Sequence, residues 1–375
     1  MRIAIDLTAL NDNFTGIERY ALNMTLEILR QAPEETFELV FKNEVFSDFL
    51  PYQGHEKIHF HVLPGCGKLL FNQWRLPRFL NQLRADRYLF LAFPMPVLLR
   101  KKYVLGTIHD MGCWDCPETM KKQMVWYFRL SYFWMAKHAK RIITISEFSR
   151  DRIRQILKVP DTKIAVAYCG ISPEFQKPYR LTGQQRRHLC RSYHLPEEYI
   201  LCLSTLEPRK NMRLLLHAYL ELYKQGKIKT KLVLAGRTGW KIEALLSEAD
   251  ADESGQVVLT GFIDDVDLPA IYSNAKYFVF PSLYEGFGIP PLEAMAQGVP
   301  VIASDASSLP EVLGNVPVYF RSDDFEDLKR ALLEMEQISE KDRSRMAAAG
   351  LQQSERFRYE REAGKVLKML VETCR

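Results

Sequence analysis

Short apolar runs alternate with amphipathic helical patterns along this 375-residue chain, and that alternation limits the possible folds more than any other feature. Strands of a parallel sheet are continuous apolar runs, because helices cover both faces of the sheet. The runs form two series, separated by a proline-bearing connector from Gly170 to Pro178 and a polar, basic stretch that ends near Arg191. The first series is 2–7, 37–41, 58–63, 88–93, 103–108, 141–145 and 164–168, and the second is 199–203, 231–235, 256–259, 277–280, 299–303 and 316–320.

The sequence therefore predicts an α/β protein with two doubly wound, Rossmann-like domains that face a cleft. The chain exceeds the length at which one hydrophobic core keeps growing, which also favours two domains. We expect an N-terminal domain over 1–174, a linker over 175–191 and a C-terminal domain over 192–353. A charged helical stretch, 354–375, follows without a further strand, and it could pack on either domain.

Composition places the chain among ordinary globular proteins, with 47% hydrophobic and 26% charged residues. No apolar run approaches the length of a membrane span, and the first residues lack the apolar stretch of a signal peptide, so we expect a cytoplasmic protein. The net charge of +5 is modest and spread along the sequence. It favours anionic small molecules or a membrane surface over duplex nucleic acid as partners.

The cysteines and acidic residues do not form a convincing metal site in the sequence. Cys113 and Cys116 have CxxC spacing and Cys66 could join them, but no second CxxC or paired histidine completes a zinc or redox site. The acidic run 264–267 precedes a helical pattern, which is typical of helix-capping acids. We therefore expect reduced thiols, no metal and no cofactor.

A glycine turn follows the apolar strand 277–280. Gly286 and Gly288 lack side chains, which would let the backbone approach a ligand closely. Two prolines, Pro290–Pro291, then favour the start of a helix. The pattern predicts an anion site at the positive end of that helix, formed by N–H groups from Leu292 onward.

Two glutamates flank the turn. Glu285 and Glu293 would repel a bare phosphate, so we expect them to accept hydrogen bonds from the hydroxyls of a sugar or a ribose. Together with the anion site they indicate a ligand in which a sugar is attached to a phosphate. The structural alternative is a strand-to-helix turn with two solvated glutamates.

Basic and glycine-rich turns follow other strands of the second series. Arg209 and Lys210 stand at a strand-to-helix junction, where a bidentate guanidinium and a point charge suit a diphosphate, although a solvated basic turn is the alternative. Turns at Gly236 and Ile263 could line a nucleotide pocket.

Two further candidates lie in the first domain. Gly16 opens a helix after the first strand and could place its N–H against a phosphate, while helix initiation alone is the alternative. His109 follows the strand 103–108, at the sheet edge where such folds bind ligands, and a histidine is the side chain most easily set to titrate near neutral pH. No GxGxxG follows the first strand, which disfavours a dinucleotide-dependent oxidoreductase.

The segment 121–141 mixes six lysines and arginines with many aromatic residues. It could lie on an anionic membrane or contact a lipid-linked acceptor as a peripheral element. The alternative is an ordinary amphipathic helix with its aromatic side chains buried in the domain.

Taken together, these residues resemble the retaining glycosyltransferases of the group 1 type, sequence family four, which have the GT-B fold. The resemblance covers nearly the whole chain and is most specific from Phe280 to Val301, where the two glutamates have that family's glutamate-x7-glutamate spacing. Two departures are Ser204-Thr205 where many members have Gly-Arg, and Cys169–Ser172 where many have Asn-Gly-Val-Asp. Further matches are Thr15–Tyr20, His109-Asp110, Ser146–Ser149 and Glu207–Asn211.

The resemblance implies roles for these positions. Lys210 and Arg209, the latter in place of the missing Gly-Arg arginine, would bind the donor's pyrophosphate, and Glu293 its ribose. Glu285 would bind the hydroxyls of the donor sugar, with His109 near the transferred sugar. It also implies that the last helix returns to the first domain. The catalytic candidates are Glu285 and His109, and the donor-binding candidates are Gly16, Arg209, Lys210, Gly286, Phe287, Gly288, Ile289, Leu292, Glu293, Gly236 and Ile263.

The implied activity is metal-independent transfer of a sugar from a nucleotide diphosphate sugar to a hydroxyl of a glycan or lipid-linked acceptor, with retention, in cell-surface polysaccharide synthesis. GDP-mannose is the preferred donor, and a uridine- or thymidine-linked sugar is the alternative. Three other activities stay open: a nucleotide-sugar epimerase, a phosphorylase on a similar fold and a non-catalytic nucleotide-sugar-binding protein.

Overall fold

The computed structural model describes residues 1–10, 16–65, 67, 70–250 and 254–372. It divides into two compact units. Unit 1 is Met1–Gly170 together with Arg358–Arg375, and unit 2 is Ile171–Phe357.

Within the described residues, unit 1 is built on a seven-stranded parallel sheet in the order β3-β2-β1-β4-β5-β6-β7. The order reverses between β1 and β4, and ligands of such sheets bind at the carboxyl ends of the strands beside this reversal. The strands are β1 (Arg2–Asp6), β2 (Thr36–Lys42), β3 (Ile58–Leu63), β4 (Arg87–Phe90), β5 (Val104–Thr107), β6 (Arg141–Thr144) and β7 (Ile164–Val166).

Helices cover this sheet, and their apolar residues form a core with the buried strands. Val104, Ile142 and Ile164 of three neighbouring strands pack with Met135 and Ile153 of two of the helices. The α-helices are α1 (Gly16–Gln31), α2 (Leu76–Gln82), α3 (Gly112–Asp115), α4 (Lys122–His138) and α5 (Glu147–Leu157), and a π-helical segment, Phe71–Arg75, precedes α2.

Unit 2 repeats the design, with a six-stranded parallel sheet among its described residues in the order β10-β9-β8-β11-β12-β13. Here the reversal lies between β8 and β11. The strands are β8 (Tyr199–Leu203), β9 (Lys231–Ala235), β10 (Val257–Gly261), β11 (Tyr277–Phe280), β12 (Val301–Ser304) and β13 (Val318–Phe320). The helices are α6 (Gly183–Ser192), α7 (Met212–Lys224), α8 (Glu243–Asp250), α9 (Leu268–Ser273), α10 (Ile289–Ala296), α11 (Leu309–Leu313), α12 (Phe325–Glu336) and α13 (Glu340–Ser354).

The fold prediction is confirmed: every apolar run of the two series contains a strand, and both units are doubly wound α/β structures. The strands end earlier than the apolar runs at several places. Leu91 and Ala92, for example, are buried but lie beyond β4, because a buried loop end is as apolar as the strand before it.

The unit boundaries differ from the sequence-based domains in detail. Residues 171–174 belong to unit 2, as do 354–357. The segment 175–191, expected as a linker, also lies in unit 2 and contains most of α6. That helix begins at a capping box, in which Thr182 and Gln185 satisfy each other's backbone N–H groups.

The last helix, α14 (Tyr359–Glu372), belongs to unit 1 and packs on α1. The Gln31 side chain donates to the Glu360 carbonyl at 2.7 Å, and Arg87 Nε donates to the Leu370 carbonyl at 3.0 Å. The buried Glu362 carboxylate accepts the N–H of Tyr168 at 3.0 Å. Of the helices in the described part of the chain, none combines the length and apolar character needed to span a membrane.

The turn after β9 requires a glycine, which gives a stability prediction. Gly236 has φ of +134°, and a Cβ there would lie 1.9 Å from the Ser204 carbonyl oxygen. We expect Gly236→Ala to lower the free energy of unfolding of unit 2 by about 2–4 kcal/mol, through backbone strain and the clash. Chemical denaturation measures it.

Gly226→Ala is the matched control, because Gly226 also has positive φ, +69°, but no atom within 4 Å of the added Cβ. It should cost about 1 kcal/mol, from the backbone conformation alone. Equal losses in the two variants would contradict the close approach at Gly236.

Candidate active site

The basic turn of unit 2 follows β8, at the reversal of strand order. A 3₁₀ turn, Pro208–Lys210, begins at a proline and ends at Asn211, whose backbone is left-handed with φ of +51°. Leu206 N–H donates to the Arg237 carbonyl at 2.8 Å and so fixes this loop to the one after β9. The side chain of Lys210 is consequently held inside the unit and is nearly buried.

The glutamate turn follows β11, the other strand at the reversal. Leu283 N–H donates to the Arg209 carbonyl at 2.8 Å, which joins this turn directly to the basic turn. Two hydroxyls hold the Glu285 backbone: Ser307 Oγ accepts its N–H at 2.7 Å, and Ser308 Oγ donates to its carbonyl at 3.0 Å. The backbone on both sides of the Glu285 side chain is therefore fixed.

Lys210 and Glu285 form a buried ion pair, with 2.6 Å between Nζ and Oε1. The Lys210 ammonium also lies 5.4 Å from the centre of the Phe280 ring. Burial alone would raise the pKa of Glu285, but the Lys210 ammonium and the Arg209 guanidinium outweigh it, so that pKa lies below its ordinary value. Glu285 is therefore a carboxylate at neutral pH, able to accept hydrogen bonds from hydroxyl groups.

Arg209 lies at the edge of this pair. Its guanidinium donates to the Tyr284 carbonyl at 3.3 Å and to Glu207 Oε1 at 3.1 Å. The side chain is about a quarter exposed, so the cation is oriented by neighbours and still reaches solvent. Together Arg209 and Lys210 place two positive charges at the carboxyl end of β8.

Glu293 lies on α10 and is almost fully buried. Tyr272 of α9 donates its hydroxyl to Glu293 Oε2 at 3.0 Å, and the Tyr272 ring in turn packs edge-on against Phe175. Both glutamates of the sequence motif thus lie in unit 2. Glu285 pairs with the Lys210 ammonium, and Glu293 accepts a hydrogen bond from the Tyr272 hydroxyl.

The start of α10 differs from the sequence-based expectation. The helix begins at Ile289, with Gly288 as its N-cap, so Leu292 is already the fourth helical residue. The N–H groups that an α-helix leaves without an intrahelical partner precede that position. Two of these residues are the prolines Pro290–Pro291, which have no N–H. The helix bounds therefore add the amides of Gly288 and Ile289 as candidate donors to an anion, ahead of the predicted Leu292 N–H.

The backbone of this turn requires a glycine at position 288. Gly288 has φ of +99°, and a Cβ there would lie 2.5 Å from Leu309 Cδ2. Gly286 and Phe287 are buried beside it, with the Phe287 ring edge-on to Phe357 at 5.4 Å. Leu309 and Phe357 thus pack against this turn.

The other unit 2 candidates lie beyond β9 and β10. Gly236 N–H donates to the Gly261 carbonyl at 2.9 Å, and Ile263 is buried two residues further along. Between them the half-exposed ring of Phe262 is covered by the Arg237 guanidinium, 4.1 Å from its centre. This flat cation–aromatic pair, which the sequence analysis missed, can stack on a planar group.

The unit 1 candidates lie at the carboxyl edge of their own sheet. Gly16 is exposed and is the first residue of α1, while Thr15 lies outside the described residues. His109 is buried just after β5, with its Nε2 donating to the Leu91 carbonyl at 2.9 Å and its ring edge-on to Tyr20.

His109 does not titrate near neutral pH, contrary to the expectation from sequence. Burial lowers its pKa to about 4, against smaller opposing effects of Asp110 and backbone carbonyls. The imidazole is therefore neutral at pH 7. With Nε2–H directed at Leu91, the other ring nitrogen, Nδ1, is the acceptor of this tautomer.

Asp6 is a polar residue within the first apolar run that the sequence analysis did not single out. It is buried at the carboxyl end of β1, where Thr8 donates to Oδ1 through its N–H at 3.1 Å and through its hydroxyl at 2.7 Å. Burial raises the pKa of Asp6 to about 6, despite those hydrogen bonds. The signal in the sequence that could have identified Asp6 is a carboxylate at the end of a buried strand.

The described residues include no group of three or more His, Cys, Asp or Glu side chains placed to hold a metal ion. Cys113 and Cys116 are buried and form no disulfide, and Cys66 lies outside the described residues. In the acidic run 264–267, Asp267 precedes α9 but does not cap it through its side chain. Its carboxylate accepts the Tyr193 hydroxyl at 2.8 Å instead, so the helix-capping interpretation is wrong there.

Comparison with known proteins places these residues in a family. The family model described as "Glycosyl transferases group 1" matches residues 193–353, and "Glycosyltransferase Family 4" matches 14–175. The chain is 30% identical to "O-antigen chain mannosyltransferase B" of Escherichia coli, over 96% of this chain and 97% of that protein.

The chain belongs to the group 1 glycosyltransferases.

Other glycosyltransferases agree with this assignment. "O-antigen chain mannosyltransferase RfbU" of Salmonella typhimurium is 24% identical over 89% of this chain and 91% of that protein. The crystal structure of Anabaena HepE in complex with UDP-glucose has a TM-score of 0.75 and 16% identity, covering 99% of this chain and 100% of that one. WaaG, a glycosyltransferase involved in lipopolysaccharide biosynthesis, has a TM-score of 0.74 and 13% identity, covering 98% and 99%. The fold of this glycosyltransferase is GT-B.

Two buried titrating groups of unit 1, His109 and Asp6, predict opposite pH dependences. Burial lowers the pKa of His109 from its ordinary value of 6.5 to about 4 in the folded state, so its contribution to stability is lost as pH falls from 6.5 to 4. The pKa of Asp6 is raised from 3.8 to about 6, so its contribution is present at low pH and lost as pH rises through 6.

We therefore expect Asp6→Asn to steepen the loss of unit 1 stability between pH 6.5 and 4, by up to about 1.4 kcal/mol per pH unit, and His109→Gln to flatten it. Denaturant unfolding at several pH values measures both slopes. Parallel curves for wild type and both variants would contradict the shifted pKa values.

Proposed function

We propose that this glycosyltransferase transfers mannose from GDP-mannose to a hydroxyl of a growing cell-surface glycan or its lipid-linked precursor, with retention at the anomeric carbon. The mannosyltransferases of O-antigen synthesis among its relatives support the sugar and the type of acceptor. The single observation that carries the chemistry is the buried Lys210–Glu285 ion pair at the strand reversal of unit 2.

In the proposed donor complex, Lys210 and Glu285 bind different parts of the donor. Lys210 and Arg209 bind the diphosphate, together with the amides of Gly288 and Ile289. Glu285 accepts hydrogen bonds from the sugar hydroxyls. When the donor separates Lys210 from Glu285, each buried charge needs a new partner. The diphosphate replaces Glu285 as the partner of Lys210, and the sugar hydroxyls replace Lys210 as the partners of Glu285.

Glu293 and two unit 1 residues complete the proposal. Glu293, held by Tyr272, accepts the ribose hydroxyls. Gly16 donates its N–H to the β-phosphate. His109 is neutral at pH 7 and so acts as a hydrogen-bonding group beside the transferred sugar rather than as a cation.

The bond changes follow from the leaving group. The bond between the anomeric carbon and the β-phosphate oxygen breaks, and negative charge grows on the diphosphate, where Lys210, Arg209 and the helix amides stabilise it. The acceptor oxygen attacks the same face, and its proton passes to the departing phosphate oxygen. A covalent intermediate would need a carboxylate at the anomeric carbon. The proposal instead uses Glu285 on the sugar hydroxyls.

The proposal includes metal independence. Lys210, Arg209 and the amides at the start of α10 are proposed to stabilise the diphosphate charge that a divalent ion would otherwise neutralise. We expect turnover of GDP-mannose with a lipopolysaccharide-type acceptor to remain unchanged in excess EDTA. A loss of activity that added Mg²⁺ or Mn²⁺ restores would contradict this part.

Glu285→Gln tests the assigned carboxylate. The amide preserves size and can still accept a hydrogen bond from Lys210, so folding should be retained. We expect kcat/KM to fall about 10- to 100-fold, because hydrogen bonds from the sugar hydroxyls to a charged acceptor are replaced by weaker ones. Glu221→Gln, which removes the charge of a surface ion pair with Lys329, is the control and should not change kcat/KM.

Product analysis in the same assay separates this function from its alternatives. Wild-type activity in the Glu285→Gln variant would refute the role of Glu285. Conversion of the donor to its epimer without acceptor would indicate an epimerase, and dependence on inorganic phosphate a phosphorylase. Donor binding with neither sugar transfer nor slow hydrolysis would indicate a non-catalytic sensor. Titration with GDP, UDP and dTDP decides the nucleotide, and we expect GDP to bind most tightly.

A further inference from the structure

Charge is divided unequally between the two units, contrary to the even spread expected from sequence. Unit 1 has 29 Lys and Arg against 20 Asp and Glu, a net charge of +9. Unit 2 has 22 against 26, a net charge of −4. The proposed anionic donor is assigned mainly to unit 2, so the positive charge of unit 1 is not explained by it.

The cations of unit 1 include a long stretch without carboxylates around α4. Residues 119–146 contain six Lys and Arg and no Asp or Glu. The helix Lys122–His138 occupies the middle of this stretch. Such a charge pattern attracts an anionic surface and is not neutralised by acidic neighbours in sequence.

The aromatic residues of α4 are only partly buried in the unit. Val125, Tyr132 and Met135 face the core, as an ordinary domain helix requires. On another side of the helix, Trp126 is 65% exposed, Leu130 64% and Phe133 52%. The buried face agrees with the interpretation as an ordinary domain helix, and the exposed face is the part of the segment to which the predicted membrane contact applies.

The exposed residues form one line along the helix. Trp126, Leu130 and Phe133 follow the spacing i, i+4, i+7, which puts them on the same face. Lys122 lies four residues before Trp126, and Lys137 lies four residues after Phe133, so a lysine ends the line on each side. We call these five residues the α4 stripe, which is about 22 Å long at 1.5 Å per residue.

Further exposed apolar side chains lie on a segment tied to this helix. Gln73 donates to the Tyr127 hydroxyl at 3.4 Å and links the π-helical segment Phe71–Arg75 to α4. Next to Gln73, Trp74 is 58% exposed, and Leu70 is 60% exposed. Large contiguous apolar patches on a protein surface are typical of interaction sites.

We propose that the α4 stripe is a docking surface for an anionic lipid bilayer. The helix lies in the plane of the interface, its three apolar side chains enter the headgroup and acyl boundary, and the two lysines contact lipid phosphates while their stems remain apolar. A bilayer fits better than a protein partner because the stripe combines bulky apolar groups with positive charge alone. This inference does not depend on the identity of the donor or the acceptor sugar.

Vesicle co-sedimentation of the full chain tests the proposal. We expect the wild type to bind phosphatidylcholine vesicles that contain about one third phosphatidylglycerol and to bind pure phosphatidylcholine at least tenfold more weakly. Binding to the anionic vesicles should weaken as salt rises from 50 to 500 mM, because ions screen the lysines.

Two variants divide the surface into its parts. Trp126→Gln with Leu130→Gln should reduce binding at least tenfold, because these two side chains supply most of the exposed apolar area. Lys122→Gln with Lys137→Gln should reduce binding to anionic vesicles about tenfold or more and remove most of its salt dependence. Circular dichroism confirms that each variant is folded.

Matched controls lie elsewhere in unit 1. Leu50→Gln changes a residue that is 50% exposed, and Lys368→Gln removes an exposed cation on α14. Both should bind as the wild type does.

Three results would overturn the proposal. The first is no binding of the wild type to either vesicle, and the second is equal binding of the wild type and the stripe variants. The third is a lipid-free oligomer that the Trp126→Gln, Leu130→Gln variant converts to a monomer, since that would make the stripe an interface between copies of this chain. None of these results bears on the proposed sugar transfer, which is measured with a water-soluble acceptor and without lipid.

Discussion

The ion pair between Lys210 and Glu285 is the interaction on which the candidate site depends. Two opposite charges are held out of water at 2.6 Å, one after β8 and one after β11. Burying such a pair is expensive unless the geometry is good and further hydrogen bonds support it. The surrounding structure supplies that geometry through the contact between Leu283 and Arg209 and through the two serines at Glu285. Hydrogen bonds thus join the two turns of the site to each other and hold the backbone that carries Glu285.

The topology of the sheet explains why these two side chains meet. In unit 2 the strand order reverses between β8 and β11, so their carboxyl ends are neighbours although about 75 residues separate Lys210 from Glu285 in sequence. Parallel strands put all their carboxyl ends on one edge, and a reversal leaves room there for a ligand. The sheet topology thus determines where a ligand can bind, and the residue types at the two turns determine the chemistry.

Much of this was predictable from sequence, because parallel strands are continuous apolar runs and every such run contains a strand. The turns with Arg209, Lys210 and Glu285 were also recognisable, since charged residues directly after buried strands are conspicuous. The sequence placed the anion-binding amides from Leu292 onward, whereas α10 begins at Ile289, because the exact first residue of a helix is not set by its prolines alone. The neutrality of His109 and the raised pKa of Asp6 depend on burial by residues distant in sequence, which the local pattern does not contain. The division of charge between the units required the unit boundaries, since the C-terminal helix belongs to unit 1 although it follows unit 2 in the sequence.

The central claim is that Lys210 is the main cation for the donor's diphosphate, and calorimetry on Lys210→Ala tests it most directly. The nucleoside diphosphate that binds wild type most tightly and its parent nucleoside, without phosphates, are titrated into both proteins. The account predicts that the variant loses at least about tenfold in affinity for the diphosphate, the loss expected for a hydrogen bond to a charged group, and none for the nucleoside. Unchanged affinity for the diphosphate in a folded Lys210→Ala variant would contradict it.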